Sequence, residues 1–176
     1  LKKIDDVHIN ILNQNIDLMP EIEIIDELKK YCTKLTNTTA HEAYSNISIR
    51  KKYGLPLLHL SAFVSPENYL MKNYVDKKNI IVISEDRNEY KDKIIKKIKK
   101  ELPQYKTIII KGLQYDEYKE LISKAKFSIT FGEGLDGYYI EPTFSGTIAF
   151  AVFNTTFFTA QYKNLPTIYD NYNAML

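Results

Sequence analysis

Short apolar runs alternate along the chain with longer segments of helical period. The apolar runs are rich in Ile and Val, and several are apolar on both faces, as strands buried in a parallel sheet are. The pattern predicts seven strands, over 9–12, 34–37, 57–60, 80–84, 107–111, 127–130 and 147–152. This alternation is typical of an α/β fold built on Rossmann-like parallel sheets.

The segments between these strands carry helix-start and helix-stop signals. Pro20 suits a first helical position, and apolar residues then recur at helical spacing through Lys30. Thr38 or Thr39 is predicted to cap a second helix, with Glu42 completing a capping box after Thr39 and the Gly-Leu-Pro at 54–56 ending the helix. Three further helices are predicted over 89–102, 115–125 and 138–145.

A polar stretch without a clear period, 65–79, separates two parts of the chain. We therefore predict two lobes, with 1–72 as the tail of the first and 73–176 as the second. The chain begins on leucine and ends in what resembles the start of a helix. We expect it to be a piece of a longer protein, with the second lobe truncated at its C-terminus.

Composition and charge narrow the class of protein. At 176 residues and 44% hydrophobic content, the chain can bury a sizeable core. A net charge of +2, without a basic stripe of interleaved aromatic residues, argues against nucleic-acid binding. One cysteine and three scattered histidines give no disulfide and no zinc-ligand spacing. No apolar run approaches the roughly 18 residues that span a bilayer, so we expect a cytoplasmic protein.

The predicted helix over 89–102 is unusually rich in lysine. Isoleucines interleave with six lysines, which are Lys91, Lys93, Lys96, Lys97, Lys99 and Lys100. Such a face is typical of a helix exposed to water. The alternative is peripheral contact with the inner face of a membrane that carries a lipid-linked acceptor.

The most informative segment is the glycine-rich turn that follows the strand at 127–130. Gly132, Gly134 and Gly137 bracket this turn, and a short helix follows it. Glycine lets main-chain N–H groups approach a ligand closely, and a helix N-terminus favours negative charge. The combination predicts an anion site that suits phosphate.

Glu133 and Glu141 flank this predicted phosphate site. Like charge keeps both carboxylates off the phosphate, so each suits neutral hydroxyl groups on either side of it. A nucleotide sugar has that layout, with the sugar, the diphosphate and the ribose in order. Eight helical residues span about 12 Å, which matches a diphosphate bridge and exceeds the roughly 5 to 9.5 Å between the paired carboxylates of glycosidases.

The order Glu133-Gly134, Glu141 and Gly146-Thr147 resembles the E-x7-E motif of the retaining glycosyltransferases of the GT-B fold. The resemblance covers roughly 80–152. It implies that 1–72 is the tail of the acceptor-side lobe and 73–176 the donor-binding lobe. The implied reaction transfers a sugar from a nucleotide diphosphate sugar to a glycan or lipid-linked acceptor, with retention and without a cofactor or metal. We expect no activity from this part of the protein alone.

The resemblance also implies a role for each site residue. Glu141 would bind the ribose hydroxyls, and Glu133 would act as the catalytic residue at the donor sugar, near the reacting carbon. The turn would hold the sugar and the diphosphate through Gly132, Gly134, Leu135, Asp136, Gly137 and Tyr138.

Two further parts of the donor site are implied by position. Gly112 and Leu113 would lie against the nucleobase. Arg87, with Lys91 behind it, would neutralise the diphosphate, although the family's usual Gly-Arg opening is replaced here by Ile-Ser-Glu-Asp-Arg at 83–87.

Other interpretations stay open. An E-x7-E pair arises easily by chance among 22 acidic residues, and α/β proteins also use glycine turns to pack a helix on a strand. The chain is then a non-catalytic nucleotide- or phosphosugar-binding module of the same architecture. A third interpretation, a flavodoxin-like regulatory or partner-binding domain, lacks an evident acidic cluster for phosphorylation.

Overall fold

The computed structural model describes residues 6–13, 18–40, 44–60 and 64–175. The chain forms two compact units, Leu1–Phe63 and Val64–Leu176. Both are α/β with parallel strands, which confirms the predicted fold class at that level. In the described ranges, no helix is long and apolar enough to cross a membrane.

In its described residues, the first unit contains a three-stranded parallel sheet and two α-helices. The sheet has the order β1-β2-β3. The core of the unit lies between the sheet and the helices, around the fully buried Ile25 and around Leu35 and Tyr53. In chain order the elements are β1 (His8–Asn13), α1 (Ile22–Lys29), β2 (Lys34–Thr39), α2 (Ile47–Tyr53) and β3 (Leu57–His59).

The predicted start of α2 is wrong, although its predicted end is confirmed. Thr38 and Thr39 continue β2, where both are buried. Asn46 caps the helix instead, and its side chain accepts a hydrogen bond from the Ile49 main-chain N–H at 3.0 Å. Gly54 ends the helix in the left-handed conformation, with φ of 59°. Glu42, the predicted capping partner, lies outside the described residues.

The second unit contains a five-stranded parallel sheet with helices on both faces. Its strands are β4 (Lys78–Ile83), β5 (Lys106–Ile109), β6 (Ala125–Ile129), β7 (Ile148–Val152) and β8 (Ile168–Tyr169). Its helices are α3 (Lys91–Glu101), α4 (Tyr115–Lys124), α5 (Gly137–Phe144) and α6 (Tyr172–Met175). The predicted strands and the three longer helices are confirmed, whereas β8, a strand of two residues, was not predicted.

Alternate residues of β4 face the two layers of helices. Ile81 and Ile83 pack with Ile94 of α3 on one face. Val82 packs with Ile122 of α4 on the other face. The sheet is therefore buried on both faces, as expected of parallel strands with apolar sequences.

The strand order β5-β4-β6-β7-β8 creates a switch point between β4 and β6. From β4 the chain first adds a strand on one side and then crosses to the other side. In open α/β sheets, ligands bind in the crevice outside the carboxyl ends of the strands at such a point. The loops at 84–90, 110–114 and 130–136 follow β4, β5 and β6, so they form this edge.

Candidate functional site

Main-chain and side-chain hydrogen bonds tie the loops at the switch point together. The Phe131 main-chain N–H donates to the Ser84 hydroxyl at 2.9 Å. The Phe131 carbonyl accepts from the Tyr172 hydroxyl at 3.2 Å. Ser84 is buried, so this contact fixes the loop after β4 against the loop after β6. The edge is thus pre-formed, as most small-molecule sites are.

Glu141 lies one turn into α5, with its carboxylate folded back toward the start of the helix. A Cβ on Gly137 would lie 3.2 Å from the Glu141 Oε1. The hydroxyls of Tyr69 and Tyr118, both of which are buried, lie near this carboxylate and favour its ionised form. The Tyr69 hydroxyl also lies 2.6 Å from that of Tyr115. Glu141 therefore sits in a tyrosine-lined recess at the edge that carries the predicted site.

Burial raises the pKa of the Glu141 carboxyl, and the two tyrosine hydroxyls and Lys119 oppose this rise. Desolvation also raises the pKa values of Tyr69 and Tyr118, which are raised further by the nearby Glu141 charge. Both tyrosines therefore stay protonated as hydrogen-bond donors. The carboxylate is partly desolvated, so an additional donor from a ligand would stabilise its ionised form.

The glycine turn before α5, which was predicted to be a phosphate cradle, is instead packed against residues of its own unit. Gly134 is buried, with φ of 94°, and a Cβ there would lie 2.3 Å from the Phe158 ring. Leu135 packs into the same apolar cluster as Phe158. Gly134 and Leu135 thus hold the turn against β7 and the segment after it. Glu133, by contrast, is only partly buried in this turn.

Asp136 caps α5 with its own carboxylate. Its Oδ1 accepts from the Tyr139 main-chain N–H at 3.2 Å, and its Oδ2 accepts from the Thr130 hydroxyl at 3.2 Å. One of the N-terminal amides predicted to hold phosphate is thus engaged within the protein. Burial raises the pKa of Asp136 to about 6, and the charge of Asp86 adds to the rise.

Asp86 also lies at this edge, although no motif in the sequence marks it as a site residue. Its carboxylate lies against Gly132, where a Cβ would be 2.9 Å from the carboxylate carbon. Among the described residues, the buried Oδ2 of Asp86 has no hydrogen-bond partner. Asp86 and Asp136 come from different loops, so no spacing in the sequence predicts their approach.

The two predicted cations occupy different environments. Lys91 donates to the main-chain carbonyls of Ser84 at 2.6 Å and of Asp86 at 3.0 Å. Its ammonium therefore anchors the loop after β4 and gives that loop a positive charge. Arg87 is exposed in the same loop, and it forms no ion pair with any residue in the described ranges.

The predicted nucleobase position is open. Gly112 follows β5 with φ of 67°, and a Cβ there would have nothing within 4 Å. Leu113 is 39% exposed, and Tyr115 at the start of α4 is 54% exposed. Because Tyr115 contacts Tyr69, this open apolar turn adjoins the tyrosines around Glu141. Tyr138, the remaining predicted residue, packs edge-on against Tyr118, with ring centroids 6.0 Å apart.

The Gly-Thr turn after α5 is part of a buried polar network. Gly146 has φ of 74°, and Thr147 donates to the main-chain carbonyls of Ile122 and Ala125. The buried Lys77 ammonium donates to the Thr147 hydroxyl at 3.1 Å, and to the main-chain carbonyls of the serines that end α4 and α5. This network therefore connects the C-terminal ends of α4 and α5.

Chemically, this edge offers carboxylates, tyrosine hydroxyls and one exposed guanidinium beside an open apolar turn. Within the described parts of the chain, no group of three or more His, Cys, Asp or Glu side chains is placed to hold a metal ion. Comparison of the chain with protein-family models, with curated proteins and with solved structures gave no match. The function is therefore inferred from the geometry of the edge.

Proposed function

We propose that the chain is the donor-binding part of a retaining glycosyltransferase of the GT-B type, which transfers a sugar from a nucleotide diphosphate sugar to a glycan or lipid-linked acceptor. The observation that carries this proposal is the position of Glu141. Its carboxylate lies beside the switch point of a parallel sheet, near the hydroxyls of Tyr69 and Tyr118 and next to an open turn.

A ribose diol suits this carboxylate. Two neighbouring hydroxyls can donate to one carboxylate, and such charge-assisted hydrogen bonds are stronger than neutral ones. The nucleobase would then lie over Gly112 and Leu113. The diphosphate would extend toward Arg87 and toward the donors at the start of α5 that Asp136 does not engage, and the sugar toward Glu133.

The proposal predicts a pH dependence of nucleotide binding. Burial raises the pKa of Glu141, and the ionised form is the one that accepts hydrogen bonds from ribose. Affinity should therefore increase as the pH rises through the pKa of Glu141, and binding should release a proton. Titration calorimetry of UDP and GDP in buffers of different ionisation enthalpy measures both effects.

Substitution of the two glutamates separates their roles. Glu141→Ala should weaken UDP or GDP binding by about 1 to 3 kcal/mol, the range for losing a charged hydrogen-bond partner. Glu120→Ala is the matched control, because Glu120 is a surface glutamate of the same unit that pairs with Lys124. Equal affinity of Glu141→Ala and the parent would refute the ribose role.

Glu133→Ala should leave binding of the free nucleotide unchanged but reduce transfer of the sugar in the intact enzyme. Undiminished turnover would refute the assignment of Glu133. Loss of nucleotide binding in this variant would assign Glu133 to the nucleotide instead.

A second candidate is a non-catalytic nucleotide- or phosphosugar-binding module. It requires only the carboxylate and the open turn and no catalytic role for Glu133, while the packing of Gly134 under Phe158 and the engagement of an α5 amide by Asp136 count against the predicted phosphate cradle. Binding of UDP or GDP without sugar transfer or donor hydrolysis in the full-length protein would support this candidate. The absence of any nucleotide affinity would refute both.

A further inference from the structure

The three loops that form the switch-point edge of the second unit are acidic. Loops 84–90, 110–114 and 130–136 together hold five acidic and two basic residues, a formal charge of −3, whereas the whole chain carries +2. The acids are Glu85, Asp86, Glu89, Glu133 and Asp136, and the bases are Arg87 and Lys111. Lys91, at the start of α3, offsets one of these charges, and its ammonium already donates to two main-chain carbonyls. The edge is therefore a poor electrostatic match for a diphosphate.

Each helix that starts at this edge has an N-terminal amide bound by a side chain of its own loop or first turn. At α3, the Asn88 Oδ1 accepts from the Tyr90 main-chain N–H at 3.0 Å. At α4, the Glu117 carboxylate accepts from the Gln114 main-chain N–H at 2.8 Å. Asp136 supplies the carboxylate at α5. Two of these three helix ends, where a phosphate would otherwise be favoured, thus already hold a negative charge.

The start of α4 offers an aromatic surface instead. Tyr115 is 54% exposed and follows the open turn formed by Gly112 and Leu113. Its hydroxyl lies 2.6 Å from that of the buried Tyr69, and the Lys119 ammonium lies 5.0 Å from the centroid of its ring. These contacts hold the ring in place, although more than half of the side chain is exposed. A fixed and exposed aromatic ring is a surface on which a nucleobase can stack.

The Tyr69 hydroxyl connects this aromatic surface with the carboxylate that suits a ribose. It contacts the hydroxyl of Tyr115 and lies near the carboxylate of Glu141. A nucleoside likewise joins a flat aromatic base to a diol. The two halves of a nucleoside therefore each have a complementary group here, and one buried side chain links those groups.

We propose that this edge recognises its ligand by the nucleoside, with the base stacked on Tyr115 and the ribose held by Glu141, and that the diphosphate adds little affinity. The proposal rests on the proposed function and names the part of the donor that the site selects. An uncharged nucleoside meets no repulsion from the acidic loops. Arg87 is left as an exposed cation toward the diphosphate, and an exposed ion pair is weak because water and salt screen it.

Titration calorimetry with uridine, guanosine, UDP and GDP tests the proposal, first in EDTA and then with Mg²⁺. For the base that is accepted, the nucleoside and its diphosphate should bind within about tenfold of each other. One hydrogen bond to a charged group contributes a factor of about ten or more, so a phosphate cradle with several donors would separate the two ligands by at least about a hundredfold. Nucleoside binding should also be unchanged at about 0.5 M salt.

Tyr115→Ala removes the aromatic surface and should weaken the nucleoside and the diphosphate equally, by about tenfold to a hundredfold, as expected for the loss of one base stack. Tyr115→Phe keeps the ring and should retain most of the affinity. Tyr74→Ala is the matched control, because Tyr74 is 42% exposed in the same unit and also lies beside a lysine and an aromatic ring, but at the amino end of β4. This control should bind like the parent, and circular dichroism checks the fold of all three variants.

Two outcomes would overturn nucleoside recognition and leave the proposed function in place. One is a diphosphate that binds about a hundredfold or more tightly than its nucleoside, with or without Mg²⁺. The other is an unchanged nucleoside affinity in Tyr115→Ala. Nucleoside binding without sugar transfer or donor hydrolysis in the full-length protein would retain nucleoside recognition and refute the glycosyltransferase. No binding of any of the four ligands would refute both.

Discussion

Gly134→Ala tests whether the glycine turn is built for packing. In the native turn, Gly134 has φ of 94°, and an added Cβ would lie 2.3 Å from the Phe158 ring and 3.0 Å from the Val152 carbonyl oxygen. The left-handed backbone costs about 1 to 2 kcal/mol for a residue with a Cβ. Overpacking costs about 1 to 3 kcal/mol. We therefore expect Gly134→Ala to lower the free energy of unfolding of the second unit by about 2 to 5 kcal/mol.

Gly112→Ala isolates the backbone contribution. Gly112 also has a positive φ, of 67°, but no described atom lies within 4 Å of a Cβ built there. Its substitution should therefore cost only the conformational part, about 1 to 2 kcal/mol. The difference between the two variants measures the steric contact with Phe158 and Val152.

Urea unfolding followed by circular dichroism gives both values. Two units can unfold separately, so each transition is fitted by itself. Phe158→Ala, combined with Gly134→Ala, should be less destabilising than the sum of the two single changes, because the contacting ring is gone. A loss in Gly134→Ala no larger than that in Gly112→Ala would refute the packing role and return Gly134 to the phosphate cradle.

Two titrating groups give further predictions. Burial raises the pKa of Asp136 to about 6 from 3.8, so the folded protein binds this proton more tightly than the unfolded chain does. The free energy of unfolding should therefore fall as the pH rises from about 4 to 6. Asp136→Asn keeps a good N-cap and should remove this dependence of stability on pH, which leaves the variant about 1 to 2 kcal/mol more stable at pH 7. Urea unfolding across this pH range measures the effect. An unchanged pH dependence in the variant would contradict the assignment of the titration to Asp136. Lys77→Met should cost about 2 to 4 kcal/mol because three buried oxygens lose their donor. Burial lowers the pKa of Lys77 to about 8, so the unfolded parent binds more protons than the folded parent between pH 8 and about 10. The parent should therefore gain stability relative to Lys77→Met over this range. A difference in urea midpoint that stays constant with pH would contradict this prediction.

The strands were predictable because their signal is local. Six of the seven predicted runs contain Ile, Val or Thr, which favour strands, and all seven occur, including the run at 57–60 that contains none of these residues. The start of α2 was mispredicted because Thr38 and Thr39 suit both a cap and a strand, and burial in β2 decides between them. The local sequence does not distinguish a helix cap from a strand where threonine suits both.

The site was only partly predictable because its key contacts are tertiary. Tyr69 comes from the polar stretch predicted to separate the two lobes, yet it is buried beside Glu141. Asp86 approaches Asp136 from another loop. A tyrosine inside a polar stretch is a weak signal of such burial, and no signal in the sequence marks the pair of aspartates.

The glycines of the predicted motif have structural roles, which distinguishes them from Glu141. Gly134 is explained by Phe158, and Gly146-Thr147 by the buried Lys77 network, so these parts of the motif need no ligand. Glu141 is different, because burial opposes its ionisation even with two tyrosine donors beside it. A glutamine or methionine in that recess would avoid this desolvation. A carboxylate at the switch point is better explained by a ligand that donates hydroxyl groups than by packing, and loss of nucleotide affinity in Glu141→Ala is the measurement on which the glycosyltransferase proposal depends.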